Sequence, residues 1–479
     1  MKSSERQIKT QLKTWRQWLY AGGNFGVTFS PTVVAAWLGY FYTGRENPDG
    51  TPHLLVGAGL FGLIWFACNA INGITDPVVG YLSDRTRSRF GRRKPWVAAG
   101  APLLALSFFF LWMPPDPTGP STANAMNLTV ALFFFWFFFT VVVAPYLSLL
   151  PDITPFDGER VRISAFMGVF EVLGTVGGNL LPPLLAALLV AGIGPFDSGY
   201  QVMALVGGLL LILFFFVSIL SVRERHADQA GAYVGPHGSA LRNALSEFGS
   251  TFQLPAFRPY MLGVGFYRMA IATTVFIAPF IATKILGAGS PSEAEVDFLN
   301  MLGAVDEAKI VNWELAAGYM MMLVLVGAAF FLPLVARLVK RWGKRRLFIL
   351  ALASFGLITI GMAFIGLLPS PAPLFQALLL FGLAAFPVSI ALVVIRPILA
   401  DVIDADEEMT GRRREGVYNG MEGLIMKVAT GLGPLTAGWL FAAFGASTTE
   451  NLGVRLCGPV AGCCLLVAAG AFMRYPIKK

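Results

Sequence analysis

The chain has 479 residues, of which 56% are hydrophobic and only 13% charged, and its mean hydropathy is +0.65. Soluble domains carry roughly 25% charged residues, so the composition excludes an ordinary soluble protein and points to an integral membrane protein. The net charge of +8 falls in short loops and forms no stripe with interleaved aromatics, which argues against a nucleic-acid partner.

About 20 apolar residues cross the roughly 30 Å hydrocarbon core of a bilayer. Twelve such runs are expected, near 17–43, 54–83, 96–114, 126–151, 161–191, 199–221, 259–286, 313–338, 346–367, 374–400, 416–444 and 454–474. Runs this long exclude barrel strands. The expected fold is therefore all-α, with twelve transmembrane helices in two six-helix bundles. The first run follows a Lys/Arg-rich terminus. It is too long for a signal-peptide core, and no A-x-A site follows, so it reads as the first span.

The second run carries Asn69, Asn72 and Asp76 at i, i+3 and i+7, on one helix face. A carboxylate with amide oxygens suits a hard cation such as sodium. Alternatively, burial raises the carboxyl pKa and Asp76 takes up a proton. A polar seam that packs helices through hydrogen bonds is the third reading. The run ends in DPVVGYLSDRTRSRFGRRKPW, residues 76–96, with six positive charges in ten residues: Arg85, Arg87, Arg89, Arg92, Arg93 and Lys94.

Further along, Glu171 lies inside the fifth run, as a second titratable site or as a carboxyl bonded to a neighbouring helix. The polar stretch 222–257 links two halves. Arg268 sits near the middle of the seventh run, and Glu422 and Lys427 lie in the eleventh. Two cations facing one cavity would suit an acidic or phosphate-bearing substrate, or would pair with Asp76, Glu171 or Glu422. Glu422 and Lys427 are five apart, so they share no face and are poor partners for each other. The four cysteines all lie in apolar runs, and there is no HExxH or metal-spaced CxxC. No cofactor is expected, and no metal beyond a transported Na+.

Basic residues alternate between loops. One set holds the amino terminus, the 85–94 turn, Arg160, Arg162, Arg223, Arg225, Arg242, Arg337 to Arg346, Arg412 to Arg414, Lys478 and Lys479; the other holds little beyond Arg45, Lys284, Lys309 and Arg455. The positive-inside rule places both termini in the cytoplasm, in a multi-pass protein of the plasma (inner) membrane. RFGRRK at 89–94 recurs as RWGKRR at 341–346, after the second and the eighth run. The expected organisation is a bundle at 1–221, a cytoplasmic loop at 222–257 and a second bundle at 258–479. Two parallel six-helix repeats around a central cavity form a transporter plan. The basic turn then has two readings. One is topology alone. The other is a gate in which Asp84, Arg85, Arg89, Gly91, Arg92 and Arg93 help lock the halves through ion pairs and helix carbonyls.

The 76–96 block resembles the span two–three signature of the glycoside–pentoside–hexuronide:cation symporters, the melibiose-permease branch of the major facilitator superfamily. LADVIDADEEMTGRRREGVYNGMEGLIMKVATGLGP at 399–434 is similar to that family's span ten–eleven region, and APYLSLLPDIT at 144–154 to the end of its span four. The resemblance implies a cation-coupled importer of small glycosides. Its acid before proline is matched by Asp76, its second acid by Asn72, its span-four hydroxyl near the cation by Thr140 and its span-eleven lysine by Lys427. Its span-one acid, span-four acid and span-five arginine fall on Thr28, Val143 and Met167, which implies that the galactoside pocket of the melibiose branch is absent.

The expected function is secondary active symport of a small polar solute, a sugar or glycoside, with H+ or Na+. The cation site would be Asp76, Asn72 and Thr140. The substrate site would be Lys427, Arg268, Asn69, Glu171 and Glu422. A lysophospholipid or amphiphile transporter of the same superfamily and a proton-driven exporter are the alternatives. A membrane enzyme is disfavoured, since no nucleophile–base or metal motif occurs. The expected partners are a small-molecule substrate and membrane lipids, with no nucleic acid, and the protein is expected to be a monomer.

Overall fold

A computed structural model describes residues 12–46, 51–86, 88, 90–189, 196, 198–222, 224, 251–252, 254–306, 309–411 and 414–476, excluding the side chains of Pro77, Tyr81, Asp84 and Arg85. The fold is all-α apart from a two-stranded antiparallel ribbon, β1 (Arg45–Glu46) with β2 (Pro52–His53). In chain order the helices are α1 (Thr14–Ala21), α2 (Gly23–Val33), α3 (Gly39–Thr43), α4 (Ala58–Arg85), α5 (Lys94–Phe110), α6 (Thr122–Ile153), α7 (Asp157–Leu188) and α8 (Gly199–Ser221). There follow α9 (Phe257–Phe280), α10 (Glu293–Met301), α11 (Trp313–Trp342), α12 (Lys344–Gly361), α13 (Pro373–Thr410), α14 (Glu415–Phe444) and α15 (Leu452–Phe472).

Among the described residues ten helices are long and apolar enough to cross a membrane. The other two expected spans take different forms. The third is α5, an apolar helix of 17 residues. The first is broken into α1, α2 and α3, with a π-helical turn over Val34–Leu38. That turn follows Pro31 inside α2, whose ring carries no N–H to donate back along the helix. The seventh span repeats the device: Pro279 lies inside α9, and a π-helical turn over Ile281–Leu286 follows it.

The internal repeat shows elsewhere in the backbone. Gly91 of RFGRRK has φ +108° and Gly343 of RWGKRR has φ +81°, the left-handed region that glycine enters without a Cβ clash. In the first copy Arg92 and Arg93 pair with Asp152 at the end of α6. In the second, Lys344 pairs with Asp401 near the end of α13. Each basic turn is thus tied to an acid two spans later.

By packing the chain forms two compact units. One holds Met1–Val34, Ile74–Pro115 and Met126–Gly235; the other holds Ala35–Gly73, Asp116–Ala125 and Pro236–Lys479. The sequence-based division at 222–257 puts all of the first six spans together. In the structure the end of the first span, from Ala35, and the first part of the second, to Gly73, belong to the second unit instead.

Small residues explain that grouping. Inside the second unit, Ala58 and Gly62 of α4 meet Pro434, Leu435 and Gly438 of α14. A Cβ on Gly62 would lie 2.8 Å from the carbonyl oxygen of Pro434, and one on Gly438 would overlap the carbonyl oxygen of Ala58. Four-residue spacing of small side chains is how helices approach backbone to backbone in lipid, where packing rather than hydrophobicity drives association. Gly438→Val should therefore lower stability by about 1–3 kcal/mol, the usual range for overpacking. A drop in the thermal unfolding midpoint of the detergent-solubilised protein reads this, and an unchanged midpoint would refute the contact.

The first unit has its own polar clasp. Tyr20 Oη donates to Tyr146 O at 2.8 Å, Tyr146 Oη donates to Tyr20 O at 2.9 Å, and Ser218 Oγ donates to the same oxygen. These bonds satisfy backbone carbonyls near the Gly22 break between α1 and α2, where buried groups would otherwise lack partners.

Candidate functional site

In the first unit, Asp76 of α4 is half-buried and accepts a hydrogen bond from Thr140 Oγ1 of α6 at 2.7 Å. Thr140 is buried. The two residues stand 64 positions apart, so only the fold could join them. The pair sets a carboxylate and a hydroxyl oxygen side by side between two helices. A carboxylate in a spanning helix is retained for a partner or a path rather than for stability.

Glu171 of α7 lies in the same unit and is exposed. Its carboxylate makes no hydrogen bond or ion pair among the described residues. Thr28 and Thr175 both bond its backbone carbonyl, at 3.2 and 2.8 Å. The expected bond from this carboxyl to a neighbouring helix is thus made by the main chain instead. Thr28 presses on Gly174 of α7, where a Cβ would overlap its hydroxyl.

The basic turn is also built within the first unit. Arg93 Nη1 reaches Asp152 Oδ2 at 2.7 Å and Arg92 Nη2 reaches it at 3.0 Å; Arg93 Nη1 also donates to Ser148 O. The Arg93 backbone N–H donates to Glu224 Oε2 at 3.1 Å, with Arg92 Nε 3.8 Å from the other oxygen. Lys94 Nζ caps Val222 O at 2.7 Å. Gly91 has φ +108°, where a Cβ is strained, and that Cβ would also displace the Glu224 carboxylate. Sequence reading has this turn pairing across the halves, whereas these ion pairs of Arg92 and Arg93 are with acids of their own unit. They hold the start of α5 to the ends of α6 and α8. The side chains of Asp84 and Arg85, and Arg89 altogether, lie outside the described residues.

In the second unit, Asn69 and Asn72 of α4 are both buried. Asn69 Nδ2 turns back to Trp65 O of its own helix at 3.0 Å. Lys427 of α14 is half-buried, and its Nζ donates to the backbone oxygen of Asn72 at 3.0 Å.

Glu422 of α14 is almost fully buried, and both of its oxygens are bonded. Tyr260 Oη of α9 donates to one at 2.6 Å and Arg396 Nη1 of α13 to the other at 3.1 Å. Arg268 of α9 is half-buried and joins no ion pair among the described residues; its Nε is buried without a hydrogen-bond partner. Sequence reading missed Tyr260 and Arg396. Arg268 is marked by its place well inside the seventh run, whereas Arg396, beside Pro397, lies near the end of the tenth and carries no such signal. Asp152 and Asp401 were visible inside the quoted motifs, but their pairing with basic turns far along the chain was not.

The family model described as MFS/sugar transport protein matches residues 19–313 and 307–479. A relative from Synechocystis sp., an uncharacterized symporter, is 26% identical, with 89% of this chain and 85% of that one covered. The sodium-dependent lysophosphatidylcholine symporter 1 of Gallus gallus is 34% identical over a shorter stretch, 25% of this chain and 22% of that one. The nucleoside transporter NupG shares the fold at a TM-score of 0.62 with 11% identity, covering 97% of this chain and 99% of that chain.

Proposed function

The chain belongs to the MFS/sugar transport protein family, and from that premise we propose that it is a cation-coupled symporter of a small polar solute. It is a multi-pass membrane transporter rather than an enzyme. The observation that carries the coupling assignment is the Asp76–Thr140 pair, a carboxylate and a hydroxyl held 2.7 Å apart between two spanning helices. Asp76 binds the coupling ion, H+ or Na+, with Thr140 as second ligand or hydrogen-bond donor. Ion and solute each favour the binding of the other by the same coupling free energy, since linkage is reciprocal. The loaded protein then exchanges access between the two sides of the membrane.

The loop charges support cytoplasmic termini, and the protein works as a monomer. A bundle at 1–221 and a second at 258–479 are the two repeats, as the paired Pro31 and Pro279 turns and the paired Gly91 and Gly343 turns suggest. Purified protein in vesicles tests the function. An imposed Na+ or pH gradient should drive solute above its equilibrium level, and collapse of the gradient should release it. Absence of ion-driven flux for sugars, sugar acids and lysolipids alike would reject the reading. A lysophospholipid is the second substrate reading, supported by the likeness to the lysophosphatidylcholine symporter. Lysolipid flux without competition from sugars would select it.

A further inference from the structure

Helices α9 and α14 lie side by side within the second unit. Tyr260 bonds Glu422; the Cβ position of Gly265 meets Ile425 at 3.8 Å; and that of Gly433 meets Met269 O at 3.0 Å and Thr273 N at 2.8 Å. Arg268 falls inside this register, between the Gly265 and Met269 contacts. The carboxylate of this region, on Glu422, is already bonded by Tyr260 and by Arg396 of α13. Both guanidinium groups lie within electrostatic reach of the Tyr260 phenol. Glu422 is thus satisfied by Tyr260 and Arg396, and Arg268 pairs with no carboxylate among the described residues.

A guanidinium inside a spanning helix is expensive unless something negative meets it, and its fork of donors matches oxyanions in particular. Its Nε is buried and unbonded. The side chain of Arg396 is 70% exposed despite its bond to Glu422, so that guanidinium is accessible as well. A purely structural arginine would be expected to take the nearest carboxylate or helix carbonyl. Arg268 takes none among the described residues.

We propose that Arg268 is a specificity-determining residue that seats an oxyanion of the transported solute, a carboxylate or a phosphate, with Arg396 and Tyr260 alongside. The inference rests on the symporter reading only in taking the ligand to be a small transported solute. Neutral glycosides lack the group that completes the site.

The test is ligand-induced thermal stabilisation of the purified protein, which reads binding by mass action and needs no ion gradient. Four probes are compared: glucuronate, glucose 6-phosphate, a lysophosphatidate and neutral methyl glucoside. At least one oxyanion should stabilise the wild type, and the neutral glucoside should not. Glucuronate alone marks a carboxylate, glucose 6-phosphate a soluble phosphate and the lysophosphatidate a lipid headgroup. Arg268→Gln should weaken the bound oxyanion roughly tenfold to a hundredfold, the effect of losing a charged hydrogen-bond donor. Should Arg268→Gln fold poorly, Arg268→Lys keeps the charge without the fork and should still weaken binding.

Stabilisation by the neutral glucoside and by no oxyanion overturns the proposal, as does unchanged affinity in both variants. The symporter reading fails separately. Oxyanion binding that depends on Arg268, with no ion-driven flux, would remove coupling and leave this site standing. Ion-driven flux of a neutral solute that ignores Arg268→Gln would do the reverse.

Discussion

Asp76→Asn leaves the protein folded and abolishes concentrative uptake. A univalent ion moving down 100 mV releases about 2.3 kcal/mol, enough to concentrate a solute roughly 50-fold when coupled one to one. In the variant the accumulation ratio falls to about one. Asparagine matches aspartate in size and can still accept a hydrogen bond from Thr140, so packing near the 2.7 Å contact is kept. What disappears is the negative charge that holds a cation, or the site that takes a proton. Solute exchange with equal concentrations on both sides needs no net ion movement and should persist. Vesicle uptake under an imposed gradient, set beside exchange in the same preparation, separates the two. A variant that still concentrates its solute as the wild type does would show that Asp76 does not carry the ion.

Thr140→Ala is a milder version of the same experiment. It removes the hydroxyl that donates to the Asp76 carboxylate and spares the charge. Accumulation should fall only in part, with the ion concentration for half-maximal uptake raised. If sodium is the ion, that shift appears on the Na+ titration. If it is the proton, it appears as a displaced pH profile.

How much of this was legible beforehand follows from the range over which each signal acts. Span positions depend on runs of apolar residues, a local property, and ten of the expected runs became helices of spanning length. The break in the first span depends on how Pro31 is absorbed, by a kink or by a π turn, which local sequence does not decide. The repeat was legible because RFGRRK and RWGKRR copy a local turn. The acids that hold those turns, Asp152 and Asp401, lie 60 and 57 residues away from Arg92 and Lys344, so their choice belongs to tertiary structure. Asp76 is visible as a lone carboxylate in an apolar helix; the resemblance matches Thr140 to a hydroxyl near the cation, and the hydrogen bond between the two side chains is visible only in the structure. Tyr260 was invisible. A tyrosine at the start of a span becomes a ligand of Glu422 only when α9 lies beside α14.

The loop charges put Lys284 on the side away from the cytoplasm, and the structure pairs it with Glu46. Their charged atoms are 2.8 Å apart, with Lys284 only 2% exposed. Glu46 also accepts the Thr448 backbone N–H at 3.1 Å, and Asn451 Nδ2 donates to the Lys284 carbonyl at 3.0 Å. Close by in the same unit, Tyr40 Oη donates to Glu314 Oε1 at 3.1 Å. Together these bonds fasten the ends of the first, seventh and eighth spans and the turn after α14. Glu46→Gln should destabilise the protein by about 3–5 kcal/mol, because it strands a buried ammonium, and that exceeds the net worth of the intact pair. Lys284→Met in the Glu46→Gln background removes the stranded charge and fills its space with an apolar chain of similar length. Stability should then return most of the way, a coupling that a double-mutant cycle measures directly. The asymmetry matters more than either value. If the double variant is as unstable as Glu46→Gln alone, the loss comes from the Thr448 contact and not from the buried charge. An alternating-access cycle has to open this end, so the same substitution should also raise the reactivity of a cysteine placed beneath the pair toward an impermeant thiol reagent. Unchanged labelling with lowered stability would make the pair a structural clasp with no part in the transport cycle.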